Sequence, residues 1–121
     1  MANRKNPKPS NTAIPMSEIE KTLAERGARY GKFSDHARAA QHIQHAMEEF
    51  KIYHVSQQQT SYRQPWKELP PIMQRALTTI ADKIARILNG DPMYDDNWHD
   101  IQGYAKLVED WILKHKDQNA E

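Results

Sequence analysis

The chain has 121 residues, enough for one core but not for two, and no apolar run approaches the roughly 20 residues that a bilayer span demands. With no cysteine among them, disulfide frameworks and thiolate zinc sites are excluded, and a cytoplasmic setting is expected. The formal charge of +1 hides an asymmetry: Arg4, Lys5 and Lys8 lie in the first fifteen residues, all 16 acids lie beyond them, and the remainder is two charges negative. A nucleic-acid-binding surface usually shows a clear cationic excess on the domain itself, so the charge balance argues against nucleic acid as a partner.

Residues 1–15 carry Pro7, Pro9 and Pro15 and almost no large apolar side chain, a composition that cannot offset chain entropy, and they are expected to be disordered. The folded domain is expected over residues 16–116, with residues 117–121 frayed. Ser17 and Glu20 have capping-box spacing and open a short helix through Ile19 and Leu23, expected to stop at Gly27. A second helix is expected from Ser34, as N-cap, through Ala39, Ala40, Ile43, Ala46, Met47 and Phe50.

Residues 54–67 are polar and glutamine-rich and read as a loop. Pro70 and Pro71 then start a third helix whose apolar positions Met73, Leu77, Ile80, Ala81, Ile84, Ile87 and Leu88 end at Asn89-Gly90. A fourth starts near Asp95 or Asp96 and carries Trp98, Ile101, Tyr104, Ala105, Val108, Trp111 and Ile112, fading at Lys114 to Lys116, where cations suit the helix dipole. No segment alternates with a period of two. The expected fold is all-α, a small bundle of three long helices plus a short first one. The third and fourth helices are apolar over wide arcs, which implies cover on more than one side and a homodimer or larger homo-oligomer.

No nucleophilic cysteine, glycine-rich phosphate loop or His-Glu-x-x-His helix is present. The remaining polar candidates are Asp82, Lys83 and Arg86 on the third helix and Asp96 and Asp100 on the fourth. Asp82 and Arg86 have the spacing of an ordinary helical ion pair, and an Asp at 95 or 96 that of an ordinary N-cap. Asp100, between Trp98 and Ile101 in an apolar turn, needs a cationic partner or a metal. Together, Asp96 and Asp100 form a candidate hard-cation site beside the phosphate-binding pair Lys83 and Arg86. His42 and His45, three apart, read as a solvated face, and Trp66, Trp98 and Trp111 as core anchors.

Two segments are familiar: Glu25-Arg26-Gly27-Ala28-Arg29-Tyr30-Gly31-Lys32-Phe33-Ser34-Asp35-His36-Ala37, and Asp82-Lys83-Ile84-Ala85-Arg86-Ile87-Leu88 through Asp96-Asn97-Trp98-His99-Asp100-Ile101-Gln102-Gly103-Tyr104-Ala105. They resemble a family of short phage and prophage proteins of undefined function, across about residues 17–112. That family is in turn similar to the MazG-like all-α nucleoside triphosphate pyrophosphohydrolases, helical dimers or tetramers in which Glu-Glu-x-x-Glu and Glu-x-x-Asp helices hold magnesium against a triphosphate.

By position, Asp82-Lys83-Ile84-Ala85-Arg86 falls on the first of those motifs and Asn97-Trp98-His99-Asp100 on the second. Only Asp82 and Asp100 keep a carboxylate, and Lys83 and Arg86 oppose a second metal. The resemblance implies binding of a nucleotide or deoxynucleotide. It places at most one Mg²⁺ on Asp96 and Asp100, with Asp82 as a further ligand, and phosphate on Lys83 and Arg86. Arg26, Arg29, Tyr30 and Tyr104 complete the ligand-binding set. Hydrolysis of the nucleotide, with Asp100 and Asp96 catalytic, is the leading enzyme expectation and phosphoryl transfer to a nucleoside monophosphate a second. A non-catalytic phage accessory protein, sequestering a nucleotide or binding a host protein, is the competing class.

Overall fold

The computed structural model describes residues 16–119; the expected tail at residues 1–15, and residues 120–121 of the expected frayed end, lie outside them. The order is α1 (Glu18–Tyr30), α2 (Phe33–Glu49), β1 (Ile52–Val55), β2 (Thr60–Arg63), α3 (Pro65–Glu68), α4 (Pro71–Asn89) and α5 (Asp95–Gln118). The fold is all-α, a small helical bundle with one minor hairpin. No described helix is long and apolar enough to cross a membrane.

The Ser17 capping box forms as expected: its hydroxyl accepts from the Glu20 amide at 3.2 Å, and Glu20 accepts from the Ser17 amide at 2.9 Å. Hydrogen bonding from Ser17, chiefly from its backbone amide and secondly from its side chain, holds the Glu20 carboxyl below the ordinary range for a glutamate. Gly27 does not end α1, however. The helix runs through it to Tyr30 and stops at Gly31, whose φ of 80° is open to glycine and costs other residues about 1–2 kcal/mol. α2 starts one residue before Ser34, at Phe33, with Lys32 as an N-cap that makes no side-chain bond.

The expected loop at 54–67 is instead largely a hairpin followed by a single helical turn. Ile52 pairs with Arg63 and Val55 with Thr60 in antiparallel register, and Ser56 closes the turn by donating from its hydroxyl to the Gln59 carbonyl at 2.8 Å. The β-branched and aromatic residues Ile52, Tyr53, Val55, Thr60 and Tyr62 suit a pleated strand, and the intervening glutamines conceal the pattern. All eight strand residues are exposed.

α4 is the axis of the fold. It packs against both α2 and α5, which make no comparable packing with each other, and also touches α1. Close approach comes from small side chains, since the buried apolar residues are Ala76, Ala81 and Ala85. α5 continues past Lys116 to Gln118, and its N-cap is Tyr94 rather than an aspartate. Trp98, expected as a core anchor, is 52% exposed and donates from its indole to the Pro92 carbonyl at 3.1 Å; Trp66 and Trp111 are half-buried.

Two turns lock together at one end. The Asn89 amide donates to the carbonyls of Tyr30 at 3.0 Å and Lys32 at 3.1 Å, and the Asp91 amide donates to the Arg29 carbonyl at 2.7 Å. A Cβ at Gly31 would collide with the Asn89 carbonyl, and one at Gly90 with the backbone of Arg29 and Tyr30. Gly27 has open space around it. Gly27→Ala should therefore raise stability by about 0.5–1 kcal/mol through helix propensity. Gly31→Ala should lower it by at least about 1–2 kcal/mol, from the left-handed backbone alone, and urea unfolding of the two variants measures the contrast.

Candidate functional site

The locked turns bring α1, the start of α2 and the C-terminal half of α4 to one corner. His36, near the start of α2, is 7% exposed. Its Nε2 lies 3.0 Å from Asp82 Oδ1 on α4, and the other oxygen of Asp82 lies 3.1 Å from Arg86 Nε. One carboxylate thus serves two cations when the imidazole is protonated. Neither nitrogen meets Asp82 with the alignment of a hydrogen bond.

The Arg86 guanidinium lies over the Tyr30 ring, 4.5 Å from its centroid, and the Arg26 guanidinium lies 5.1 Å from the same centroid. Tyr30 meets Tyr94 edge-on at 6.1 Å, and Arg29 lies 4.9 Å from the Tyr94 centroid. The result is a corner in which three arginines converge on two tyrosines through cation–π contacts. Tyr94 donates to Asp96 at 2.8 Å. That bond is the main reason its phenol is held above the ordinary value of 10.0; desolvation adds to the shift and the Arg29 charge opposes it.

Beside this corner opens a cleft of about 230 Å³ lined by Leu23, Arg26, Gly27, Tyr30, Gly31, Lys32, Phe33 and His36. Arg26 and Lys32 have no carboxylate within ion-pair distance among the described residues. Phe33 at its mouth is 76% exposed. A cleft with free cations and aromatic faces suits a planar, anionic ligand.

The candidates divide into three places. Arg26, Arg29, Tyr30, Arg86 and Asp82 belong to the corner. Lys83 is paired with Asp100 at 3.1 Å, its side chain only 13% exposed, so the partner that Asp100 needs is a cation of α4. Asp100 and Tyr104 line a separate depression on α5 with His99, Gly103 and Leu107. Asp96 is exposed and bound to Tyr94. The expected convergence of Lys83, Arg86, Asp96 and Asp100 on one pocket is thus replaced by two cation–carboxylate pairs and a tyrosine–carboxylate pair.

Magnesium takes several oxygens in near-octahedral order. No group of three His, Asp or Glu side chains that could hold a metal occurs among the described residues, and Asp82 and Asp100 already face cations. The third expected ligand, Asp96, is exposed and accepts from the Tyr94 hydroxyl. His42 and His45 are exposed, as expected of a solvated face, and line a shallow hollow with Gln41.

Sequence reasoning missed His36, Lys32, Phe33 and Tyr94. The first three stand within the familiar segment from Glu25 to Ala37, which gave them no role; the pairing of His36 with Asp82 spans two helices and leaves no local signal. Compared with protein-family models, with curated proteins and with solved structures, the chain matches none.

Two outcomes are expected. Asp82→Ala strips the counter-charge from the half-buried Arg86 and should cost about 2 kcal/mol in urea unfolding, whereas Glu18→Ala, which frees the exposed Lys21, should cost nothing measurable. The folded state also holds the Tyr94 proton more tightly than the unfolded chain does. The stability it contributes is present below pH 10 and is lost as pH rises through the raised value. In an ultraviolet titration of the phenols, Asp96→Ala should return one tyrosine toward its ordinary value.

Proposed function

We propose that the protein binds a nucleotide or deoxynucleotide in the cleft between α1 and α2. The observation that carries this reading is the pairing of two cations without carboxylate partners among the described residues, Arg26 and Lys32, with the aromatic faces of Tyr30 and Phe33 in one cleft. A phosphate group takes the cations, Arg26 in the bidentate manner, and a base stacks on the exposed Phe33. His36, anchored by Asp82, lines the same cleft and adds a third positive group when protonated. The resemblance to nucleotide pyrophosphohydrolases supports the ligand class.

Within this reading, binding is favoured over hydrolysis. Lys83 and Arg86, the cations first expected at the phosphate, are already paired with Asp100 and Asp82, and these pairs occupy two of the three acids expected to hold Mg²⁺. A phage-type accessory protein that sequesters a nucleotide is consistent with this arrangement, as the cleft contains cations and rings but no free carboxylate.

Thermal shift with nucleoside mono-, di- and triphosphates, with and without Mg²⁺, tests the proposal. The melting temperature should rise with ligand concentration by mass action, without Mg²⁺, and less at high salt. The shift should disappear in Arg26→Ala and Phe33→Ala, both exposed positions whose loss leaves the unliganded melt nearly unchanged. A shift that requires Mg²⁺ and is lost in Asp100→Asn would instead support metal-dependent processing, with product analysis separating hydrolysis from phosphoryl transfer. If no nucleotide shifts the melt, nucleotide binding fails and the accessory protein acting on a host protein takes its place.

A further inference from the structure

Glycine inside a helix lowers the folding equilibrium about fivefold relative to alanine, so each interior glycine calls for a reason. At two of the four glycines the reason lies in the chain: Gly31 has a positive φ, and a Cβ at Gly31 or Gly90 would strike the facing turn. Gly27 in α1 and Gly103 in α5 have neither reason. Both stand inside helices without a positive φ, and a Cβ at either would meet nothing within 4 Å beyond its own stretch of helix.

What Gly27 does is line the cleft between α1 and α2. Helical spacing sets Leu23 one turn before it and Tyr30 one turn after it, so the glycine is a gap of bare main chain between two side chains of that wall. Phe33 lines the cleft from the start of α2, and both Leu23 and Phe33 are exposed. Arg26 and Lys32, the cations without carboxylate partners among the described residues, line the same cleft. Its volume of about 230 Å³ is below the roughly 300–1,000 Å³ of most small-molecule sites, so a single methyl group matters there.

We infer that Gly27 is the floor of a slot for the planar base of the ligand, with Leu23 and Phe33 as its apolar walls and Arg26 and Lys32 holding the phosphate beside it. The inference rests on the nucleotide reading of this cleft and adds to it the residue that admits the base. A base ring presents a flat apolar face, which bare main chain accepts and a projecting side chain does not. A gap of roughly 0.5–1 Å already forfeits about a quarter to a half of a van der Waals contact. A methyl group on the floor therefore separates the ring from its walls while leaving both cations in place. Gly27 lowers the stability of α1 and gives the cleft its depth, a trade between stability and function of the kind that binding sites make.

Calorimetric titration of the full chain without Mg²⁺ isolates the slot when nucleoside 5′-monophosphates are compared with ribose 5-phosphate, which keeps the sugar and the phosphate and has no base. The unaltered chain should prefer its best monophosphate over ribose 5-phosphate by roughly tenfold or more, as base stacking allows. In Gly27→Ala that preference should fall toward one and the affinity for ribose 5-phosphate should stay within about twofold, although the unliganded melting temperature rises. Gly103→Ala is the matched control, a helix-interior glycine with the same open space and outside this cleft; it should raise the melt and keep the preference. Gly27→Ala binding monophosphates as tightly as the unaltered chain would overturn the slot and leave the nucleotide reading standing. So would a preference lost in Gly103→Ala and kept in Gly27→Ala, or ribose 5-phosphate bound by the unaltered chain as tightly as the monophosphates. An unaltered chain that binds neither probe would overturn the slot and the nucleotide reading together.

Discussion

The close approach of two backbone turns governs this molecule. The turn after α1 and the turn after α4 touch main chain to main chain, joined by the Asn89 amide and the Asp91 amide. Glycine at 31 and 90 is what permits the distance: at the first a side chain would meet Asn89, at the second the backbone of Arg29 and Tyr30. Everything at the charged corner follows from this contact. It places Tyr30 under Arg86, sets Tyr94 against Tyr30, and brings the start of α2 near enough for His36 to meet Asp82.

The second constraint is a shortage of core. α4 packs chiefly on α2 and α5, and the apolar side chains it buries are alanines, which allow close helix approach but offer little apolar area. Among the larger apolar side chains of the same helix, Leu77, Ile84 and Leu88 stay exposed among the described residues. Charged groups also bridge the helices, in the His36–Asp82–Arg86 triad and in the Lys83–Asp100 pair that ties α4 to α5. These pairs also limit chemistry, since a carboxylate facing a lysine or arginine 3.1 Å away is a poor ligand for a further cation.

Cations without such partners decide where a ligand fits. Arg26 and Lys32 flank the cleft, and their freedom contrasts with the neutralised state of Lys83 and Arg86. The same four side chains read alike in a sequence, as basic residues in helices or near their ends. Only the positions of the aspartates separate the two that bind inward from the two available to an anion.

Much of the fold was legible beforehand. The capping box at Ser17, the start of α4 at Pro71 and its end at Asn89, and the all-α class each rest on interactions within a few residues, which a sequence carries directly. The hairpin was hidden because four polar residues at its turn outweigh short strands whose period is broken by exposure on both faces. Gly27 misled because glycine both ends helices and is tolerated within them at a modest cost, and it is Gly31, forced by its contact with Asn89 into a positive φ, that ends α1. The site was legible as a list of residue types, and the partners of those residues were not. Asp82 with His36, Lys83 with Asp100 and Tyr94 with Asp96 depend on which helix faces meet and on how two turns seat against each other, and those are settled by packing over the whole chain rather than by any local run of residues.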